Sequence, residues 1–337
     1  MVYGAIDLHV RYSEIRIIDG DGRVVRERRV LTDRTALVRA FAGAGAIRIL
    51  LESGTESEWV AQALEAGGYA VIVADANFAP MYGDLHRRVK TNRRDVAALA
   101  EANRRGWYRP AYRVSAEQRA RRQLVGARRQ LVQMRTGTIS VMRALLRQAG
   151  YRVPSTSSHG LGARLDRVAL PAALRATLAP LRRTLATLCE EIHGLDVAIA
   201  AIAADDPIVQ RLQTVPGVGP VVAVTYRAYV DDVHRFASAG QVSAAIGLVP
   251  SEHSSAEHRH RGHITKRGSA EVRSLLVQAA WACWRTKHPS ALRAWVERLA
   301  ARRGKRIAVV ALARRLSRIL YAIWRDETVF QDRCVAA

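Results

Sequence analysis

Three carboxylates stand where they could bind a divalent metal ion. Asp7 interrupts an apolar first strand, Glu52 ends a later apolar strand, and Asp95 lies in a segment of helical periodicity just after the last predicted strand. Each by itself is more often a solvated residue. Together, oxygen ligands of this kind can bind Mg²⁺, which neutralises the charge that develops on phosphate oxygens when a phosphodiester reacts.

A second candidate site is the polar segment GLVPSEHSSAEHRHRGHITKRGS at residues 247–269. Its serine hydroxyls can act as nucleophiles if a base or a metal activates them, and its basic side chains can bind phosphate. Composition does not distinguish Ser251, Ser254 and Ser255 from one another. The histidines are irregularly spaced and no cysteine accompanies them, which favours phosphate contact over zinc ligation. The alternative is a solvated loop without a catalytic role.

The carboxylates must be positioned by the first hundred residues, which have the pattern of an α/β unit. Strands are predicted at 2–7, 13–19, 23–30, 47–52 and 69–74, with helices at 33–41 and 55–66. Three antiparallel strands followed by alternating helix and strand predict an RNase H-like domain over residues 1–112, although other α/β domains share part of this order. The first and fourth strands are neighbours in such a sheet, so Asp7 and Glu52 should converge, with Asp95 brought over them by the next helix.

The middle of the chain, residues 113–204, changes to the period of a coiled coil. A helix is predicted to start at Ser115, with Gln118 completing a capping box. The two predicted helices carry apolar residues at heptad spacing: Leu124, Ala127, Leu131, Met134, Thr138, Val141 and Leu145 in the first, and Leu181, Leu185, Leu188, Ile192, Leu195, Ile199 and Ile202 in the second. They could form an antiparallel hairpin or pair with another subunit.

The last region, residues 205–337, is predicted to be mainly helical. Its Pro-Gly-Val-Gly stretch resembles a helix-hairpin-helix, in which Gly217 and Gly219 would let backbone N–H groups approach a phosphate at a helix N-terminus. An ordinary tight interhelical turn is the alternative. The tryptophans of this region are interpreted as packing residues rather than base-stacking platforms: Trp281, Trp284, Trp295 and Trp324.

The net charge indicates a polyanionic partner. The 337 residues contain 53 Lys and Arg against 30 Asp and Glu, a formal charge of +23. Most of the basic residues are arginines, whose planar guanidinium suits bidentate phosphate contacts. Residues 87–147 hold 17 basic against 3 acidic side chains and residues 255–325 hold the same numbers, which predicts two basic surfaces.

The three cysteines and the N-terminus bear on the compartment. Cys189, Cys283 and Cys334 lie far apart without a Cys-x-x-Cys spacing, so neither a disulfide framework nor a cysteine zinc site is expected. The apolar N-terminal stretch is only as long as a strand, too short for a signal peptide or a membrane span. We expect a soluble protein of the cytoplasm that has no membrane partner.

Five motifs carry a resemblance to a known family. In order and spacing they are similar to the DEDD transposases of the insertion sequence one-hundred-ten family, the bridge-RNA-guided recombinases: AIDLH (5–9), LLESG (50–54), VKTNRRDV (89–96), TVPGVGPVVA (214–223) and IGLVPSEHSS with RGHITKRGSAEVRSLLVQAAW (246–281). The resemblance spans nearly the whole chain. It implies a RuvC-like domain with a Mg²⁺ site, a coiled coil and a C-terminal transposase domain whose serine attacks DNA and becomes covalently joined to it.

The resemblance assigns roles to individual residues. Asp7, Glu52 and Asp95 match the metal carboxylates and Ser255 matches the nucleophilic serine. Family members work as tetramers in which each active site is composed from two subunits. Residues expected to bind nucleic acid are those of the basic motifs and of the glycine turn: Lys90, Arg93, Arg94, Gly217, Gly219, Arg259, Arg261, Lys266 and Arg267.

Two positions depart from the family pattern. A further aspartate usually lies three residues before Asp95, where this chain has Asn92, which can offer a carbonyl oxygen to Mg²⁺ but no charge. The residue after the nucleophile is often glycine, and here it is Ala256, which restricts the backbone more.

The sequence therefore predicts a DNA transposase or recombinase that is guided by a structured noncoding RNA. It would act as a dimer or tetramer on donor and target duplexes, cutting and rejoining strands through a phosphoserine intermediate with Mg²⁺. One alternative is a metal-dependent nuclease or Holliday-junction resolvase in which water is the nucleophile. Another is an inactive nucleic-acid-binding remnant, for which Asn92 is the best argument.

Overall fold

A computed structural model describes residues 1–78, 81, 91–154, 160–252, 261–286 and 290–332, with Arg261 described by its main chain only. The chain divides into two compact units, residues 1–113 and 114–337. Each has its own buried core.

The first unit is built on a five-stranded mixed sheet in the order β3-β2-β1-β4-β5. Its strands are β1 (Val2–Asp7), β2 (Tyr12–Ile18), β3 (Val24–Leu31), β4 (Ile47–Glu52) and β5 (Ala70–Ala74). β1 pairs antiparallel with β2 and β2 antiparallel with β3, whereas β1 and β4 are parallel, as are β4 and β5. This confirms the predicted order of strands, with every strand boundary within two residues of its prediction.

Helices cover both faces of this sheet because its central strands are apolar on both sides. The helices are α1 (Arg34–Ala40), α2 (Ser57–Ala66) and α3 (Asn92–Arg105). Ile6 and Leu51 belong to the core that contains residues of α1 and α2. Ala5 and Leu50, the preceding residue on each strand, belong to the core that contains residues of α3, because successive side chains of a strand point to opposite faces.

Strand β3 forms one edge of the sheet and is strongly charged. Its sequence VVRERRVL places Arg26, Glu27, Arg28 and Arg29 in four consecutive positions. Glu27 accepts a 2.5 Å hydrogen bond from Arg16 on the neighbouring strand, so part of this charge is neutralised by an ion pair between β2 and β3.

The second unit consists of nine helices and a two-stranded hairpin within the part of the chain that the structure describes. The helices are α4 (Ala116–Gln148), α5 (Gly160–Asp166), α6 (Ala172–Asp205), α7 (Pro207–Leu212), α8 (Pro220–Val230), α9 (Ala239–Ile246), α10 (Ala270–Arg285), α11 (Ala291–Arg303) and α12 (Lys305–Arg325). The strands of the hairpin are β6 (Pro250–Glu252) and β7 (Arg261–Ile264).

Helices α4 and α6 pack against each other as an antiparallel hairpin within one chain. Arg121 pairs with Asp206 and Arg128 with Asp196, each at 2.5 Å, so residue numbers rise along one helix as they fall along the other. Burial raises the pKa of the Asp206 carboxyl. The hydrogen bonds from Arg121 and the Val209 N–H outweigh that effect and hold the pKa below its usual value.

The predicted apolar seam is correct for α6 and wrong for much of α4. In α6, Leu185, Leu188, Ile192 and Ile199 are buried as expected. In α4 the buried apolar residues are Val125, Met142 and Leu146, whereas the seam positions Met134 and Val141 are 48% and 50% exposed. An α-helix drifts by about 20° per heptad relative to a strict seven-residue repeat, so over 33 residues the buried line leaves its initial register.

The capping box predicted at the start of α4 forms only in part. The Ser115 Oγ accepts the N–H of Gln118 at 3.4 Å, which confirms the cap. The Gln118 side chain does not return to the backbone, and neither of its polar atoms has a hydrogen-bond partner among the described residues. Instead, the Ser115 N–H donates at 2.9 Å to Asp231, the residue after α8, which also accepts from the Ser115 hydroxyl at 2.7 Å.

The core of the second unit joins α8, α10 and α12. The buried Tyr226 hydroxyl donates to the carbonyl oxygen of Ser317 at 2.8 Å. The tryptophans pack against this core, as predicted, and Trp281 stacks on Trp284 with ring centres 5.4 Å apart. Cys189 and Cys283 are buried free thiols, and burial raises the pKa of Cys283 to about 11. None of the helices in the described ranges is long and apolar enough to span a membrane.

Candidate metal site and nucleic-acid interface

Asp7 and Glu52 end two neighbouring parallel strands at the same level. The register of β1 and β4 pairs Val2 with Ile47 and continues to Ile6 with Leu51. One further step along each strand reaches Asp7 and Glu52. The convergence predicted from the sequence is therefore supported by the strand register.

Both side chains belong on the sheet face that α3 covers. Ala5 and Leu50, two positions earlier on their strands, are buried in the same core as α3 residues. Because side chains alternate along a strand, Asp7 and Glu52 share that face. The opposite partner of Asp7 on β2 is Glu14, so three carboxylates occupy one row across β2, β1 and β4.

Glu14 was not predicted as a site residue. The signal that could have found it was the antiparallel pairing of the first two strands, which sets Glu14 across from Asp7 once the register is known. Its nearest basic partner in the described ranges is Arg29, at 3.6 Å on β3.

Asn103 fastens α3 to the two strands that carry the candidate ligands. Its side chain is fully buried and its Nδ2 donates to the carbonyl oxygens of Gly4 and Arg48, both at 2.8 Å. Its Oδ1 accepts from the Arg48 Nε at 2.8 Å. The helix therefore sits at a fixed height over β1 and β4. Sequence analysis missed this residue, whose signal was a polar side chain in the apolar stripe that contains Val96 and Leu99.

The direction of α3 brings its N-terminus toward the ends of the strands that carry the carboxylates. Arg93, in the first turn, lies 2.7 Å from Glu27, whose β2 partner Arg16 lies opposite Ala5. Near the other end of the helix, the Arg104 Nη1 donates at 3.2 Å to the carbonyl oxygen of Gly20 in the turn between β2 and β3, beside the start of β1.

The candidate ligands on α3 lie in its first two turns. Asp95 is half-buried one turn before the buried Leu99, and Asn92 is exposed in the first turn. Asp95 thus lies on the helix that was predicted to carry it, and its role as a metal ligand stays a prediction.

The donor set has the chemistry that Mg²⁺ requires, since carboxylates and an amide offer oxygen atoms. Within the described ranges, no group of three or more His, Cys, Asp and Glu side chains is close enough to enclose a metal ion. Mg²⁺ is commonly held by one or two carboxylates with water and substrate phosphate, for which neighbouring strand-end carboxylates are sufficient. The His9 Nε2 lies 3.1 Å from an Asp7 oxygen, so His9 contacts a candidate ligand.

At least seven of the 17 basic side chains between residues 87 and 147 form ion pairs with acidic side chains of the protein. Ion pairs with acidic side chains involve the following arginines: Arg93, Arg104, Arg105, Arg109, Arg113, Arg121 and Arg128. The pairing holds the pKa of Glu101 below its usual value, chiefly through the hydrogen bond from Arg104. The nucleic-acid surface expected over this segment stays a prediction.

Three predicted contacts in this segment have different outcomes. Arg93 is exposed and forms an ion pair with Glu27, and its contact with phosphate stays a prediction. Arg94 is exposed in the first turn of α3. Lys90 lies outside the described residues.

The predicted nucleophile lies between β6 and β7. Ser255 and Arg259 are outside the described residues, as is the side chain of Arg261. The strands that flank them pair antiparallel, Pro250 with Ile264 and Glu252 with Arg261. A Cβ atom at Gly262 would lie only 2.6 Å from the Ser251 Oγ, so the strands approach closely.

The base of this hairpin is locked by two glycines and a guanidinium. Gly247 and Gly268 have φ values of 77° and 74°, and a Cβ atom at either would lie about 2 Å from a backbone oxygen, 2.1 Å from that of Arg267 and 1.8 Å from that of Ala245. The Arg273 Nη1 donates to the carbonyl oxygens of Ile246, Arg267 and Gly268 at 2.8 to 3.1 Å. Sequence analysis did not identify this lock. It holds both ends of the polar segment 247–269, called the serine segment below.

Two predicted phosphate contacts lie at this base. Lys266 and Arg267 are both exposed, and Lys266 adopts a φ of 56° while its N–H donates to the Gly247 carbonyl oxygen at 3.1 Å. Their backbone is therefore held while their charged ends face solvent. This placement is compatible with phosphate binding beside the serine segment.

The Pro-Gly-Val-Gly turn before α8 uses its two glycines differently. Gly217 has a φ of 83°, and a Cβ atom there would lie 2.3 Å from the carbonyl oxygen of Ala279 in α10. This close packing gives Gly217 a structural role, and its contact with phosphate stays a prediction. Gly219 is the N-cap of α8 and has open space where a Cβ would be, so it keeps the geometry of a phosphate site.

Family models and known proteins match segments of both units. A family model for the DEDD transposases of IS110 elements, described as "Transposase", matches residues 5–150. A second model, "Transposase IS116/IS110/IS902 family", matches residues 209–295. A "Probable family 20 transposase" of Pseudomonas aeruginosa is 30% identical over 97% of this chain and 97% of its own length.

The chain belongs to the IS110/IS116 family of transposases. It is 32% identical to the "Transposase for insertion sequence element IS1111A" of Coxiella burnetii, over 92% of this chain and 86% of that protein. It is 27% identical to the "Transposase for insertion sequence element IS1328" of Yersinia enterocolitica, over 96% of this chain and 97% of that protein. The protein is thus a transposase, an enzyme that acts on DNA.

Proposed function

We propose that this transposase cuts and rejoins DNA through a covalent intermediate on Ser255, with Mg²⁺ bound by Asp7, Glu52, Asn92 and Asp95 and with target choice supplied by a structured RNA. The observation that carries the proposal is the hairpin of β6 and β7, whose ends are locked by Gly247, Gly268 and Arg273. A nucleophile must be held within reach of its target in a narrow range of orientations. A fixed frame around the serine segment serves that requirement.

The proposed step exchanges one phosphate ester for another. The Ser255 Oγ attacks phosphorus and forms a serine–phosphate bond, the bond from phosphorus to the leaving deoxyribose oxygen breaks, and the hydroxyl proton passes to that oxygen. The reverse exchange, with a new strand end as the attacking group, rejoins DNA without an external energy source. Lys266 and Arg267 would hold the phosphate by its oxygens.

The carboxylates have a separate role. Asp7 and Glu52, with Asp95 and Asn92 on α3, would hold Mg²⁺ over an RNase H-like sheet. The bound ion would lower the pKa of the attacking hydroxyl and neutralise charge on the phosphate. The adjacency of Asp7 and Glu52 in the strand register supports this assignment.

A metal-dependent nuclease or resolvase is the second candidate. The row of Glu14, Asp7 and Glu52 favours it, because carboxylates that hold metal ions can activate water directly. Water attack leaves no protein–DNA bond. The two candidates therefore differ in an observable product.

Denaturing electrophoresis with labelled cognate DNA and guide RNA separates the candidates. The serine reaction gives a protein–DNA adduct that Ser255→Ala loses and the matched controls Ser251→Ala and Ser254→Ala retain. An adduct that persists in Ser255→Ala would move the nucleophile to another residue. Cleavage without an adduct in any variant would establish the water reaction.

RNA guidance is tested by what the purified protein carries. If base pairing supplies target choice, the protein should contact mainly phosphates and sugars and should copurify with a discrete RNA. Protein that is free of RNA yet recombines naked DNA with full sequence selectivity would contradict this part. The proposal also includes assembly as a dimer or tetramer in the cytoplasm.

A further inference from the structure

A groove of about 680 Å³ runs along α12 in the second unit, remote in sequence from the serine segment. Three arginines of α12 line it together with Trp295 of α11. Small or aliphatic side chains complete its walls: Ala239, Ala311, Ile319 and Ala322. The basic residues are Arg314, Arg315 and Arg318, spaced so that two of them, Arg314 and Arg318, lie one turn apart on the helix.

The three guanidinium groups lack the ion pairs with carboxylates that many other arginines of the described residues form. Within the described ranges no carboxylate lies within ion-pair distance of any of them, in contrast to the arginines of the first unit. The Arg314 Nε is also buried without a hydrogen-bond partner there. A buried donor without a partner costs free energy, so a polar ligand in the groove would recover that cost.

Arg315 is held in an orientation suited to an anion. Its guanidinium carbon lies 4.8 Å from the ring centre of Trp295. Stacking of this kind uses the face of the guanidinium and leaves its N–H edge available. The stacked pair also offers the kind of flat surface on which an unpaired base can stack.

We propose that this groove binds an unpaired segment of a nucleic-acid strand, with backbone phosphates on Arg314, Arg315 and Arg318. The volume is that of a small-ligand pocket, which accommodates about one or two nucleotides. Further exposed basic residues lie at the junction of α11 and α12: Arg302, Arg303, Lys305 and Arg306. None of the residues that line the groove belongs to the proposed serine or metal sites.

The test measures binding of fluorescein-labelled 12-nucleotide single strands of RNA and of DNA, and of the corresponding DNA duplex, by fluorescence anisotropy with the full-length protein. The variant Arg314→Gln/Arg318→Gln is compared with Arg28→Gln/Arg39→Gln, which removes the same charge from exposed positions of the first unit. We expect the groove variant to weaken single-strand binding at least fivefold. Because two side chains of this variant no longer neutralise phosphates, its slope of log K against log salt should fall by about 1.4.

The outcome identifies the strand. If the groove variant loses more affinity for RNA than for DNA, the groove binds an RNA strand. A larger loss for single-stranded DNA assigns the groove to an opened DNA strand. Losses of the same size for RNA and single-stranded DNA show a site for the backbone without sugar preference. Equal losses in the groove variant and the control, or a loss confined to the duplex, would overturn the proposal. Arg315→Gln, which leaves the other two arginines in place, should weaken single-strand binding about threefold with an unchanged melting temperature. No adduct is measured, so failure of the Ser255 mechanism would leave this result unaffected.

Discussion

Arg273 donates a hydrogen bond of 2.8 Å to the carbonyl oxygen of Arg267, so the first turn of α10 holds the chain that follows β7. The same nitrogen also reaches the carbonyl oxygen of Ile246, before the hairpin begins. One side chain therefore connects the two ends of the segment that contains the proposed nucleophile.

Replacing Arg273 should separate stability from catalysis. Arg273→Gln should lower the free energy of unfolding by about 2 kcal/mol, because it removes hydrogen bonds from a charged group to carbonyl oxygens. It should also lower the rate of adduct formation at least tenfold under conditions where the protein remains folded. Arg298→Gln, an exposed change on α11, serves as the control in urea unfolding. If folded Arg273→Gln forms the adduct at the normal rate, the hydrogen bonds of Arg273 contribute to stability but not to catalysis.

The carboxylates should affect cleavage far more than binding. Asp7→Asn and Glu52→Gln keep the shape of each side chain but remove its charge, so strand cleavage in Mg²⁺ should fall at least a hundredfold while affinity for DNA changes less than threefold. Asp21→Asn, an exposed acid in the β2–β3 turn, provides the matched control. Full cleavage by both site variants would refute the metal assignment.

Asn92 offers a test that can raise activity. Asn92→Asp adds a negative charge beside the proposed ligands, so it should preserve or increase cleavage and lower the Mg²⁺ concentration for half-maximal rate. Asn92→Leu should lose cleavage, because it has no oxygen donor. The three proteins are compared across a Mg²⁺ titration, and identical curves would place residue 92 outside the metal shell.

The two glycines before α8 should give opposite results. Gly217→Ala should destabilise the second unit by at least about 2 kcal/mol, because φ is positive and the new Cβ would meet the Ala279 carbonyl oxygen. Gly219→Ala should leave stability nearly unchanged. If the start of α8 binds phosphate, the added methyl group will weaken duplex binding severalfold by keeping the backbone N–H groups away. Thermal unfolding and anisotropy measure the two effects, and unaltered binding by Gly219→Ala would exclude a phosphate there.

The ion pair of Asp206 and Arg121 should make stability depend on acid pH. The folded-state pKa of Asp206 lies below its value of about 3.9 in an unfolded chain, so its contribution is fully present above about pH 4 and is lost as pH falls through the folded-state pKa. Asp206→Asn should lower the free energy of unfolding by about 1 to 2 kcal/mol at pH 7, since Arg121 loses a charged hydrogen-bond partner and keeps its ion pair with Glu117. The difference from the wild type should shrink below pH 4 in urea titrations, and a difference that is constant from pH 7 to pH 3 would contradict the linkage.

The sheet could be predicted because its signals are local. Alternating apolar residues define the strands, and a Gly-Asp-Gly turn joins β2 to β3, so Asp7 and Glu52 could be placed at neighbouring strand ends before the structure was known. Asn103 could not be assigned, because its role depends on carbonyl oxygens of strands some fifty to a hundred residues earlier.

Charge was harder to interpret from sequence than periodicity. Arg113 bonds Glu58 and Glu65, which lie about fifty residues away, so a count of basic residues overestimates the charge available to nucleic acid. The seam of α4 was misplaced for a related reason, since the burial of Met142 depends on the partner helix as well as on the repeat. The position of Ser255 in its loop stays a prediction from family spacing.

The charges of β3 bear on how copies of this protein behave at high concentration. An edge strand exposes unpaired backbone groups that can form a sheet with the same edge of another molecule. Four consecutive charged side chains, with Arg28 and Arg29 exposed, make such pairing repulsive. Aggregation through this edge is therefore disfavoured even when copies of the protein are crowded together.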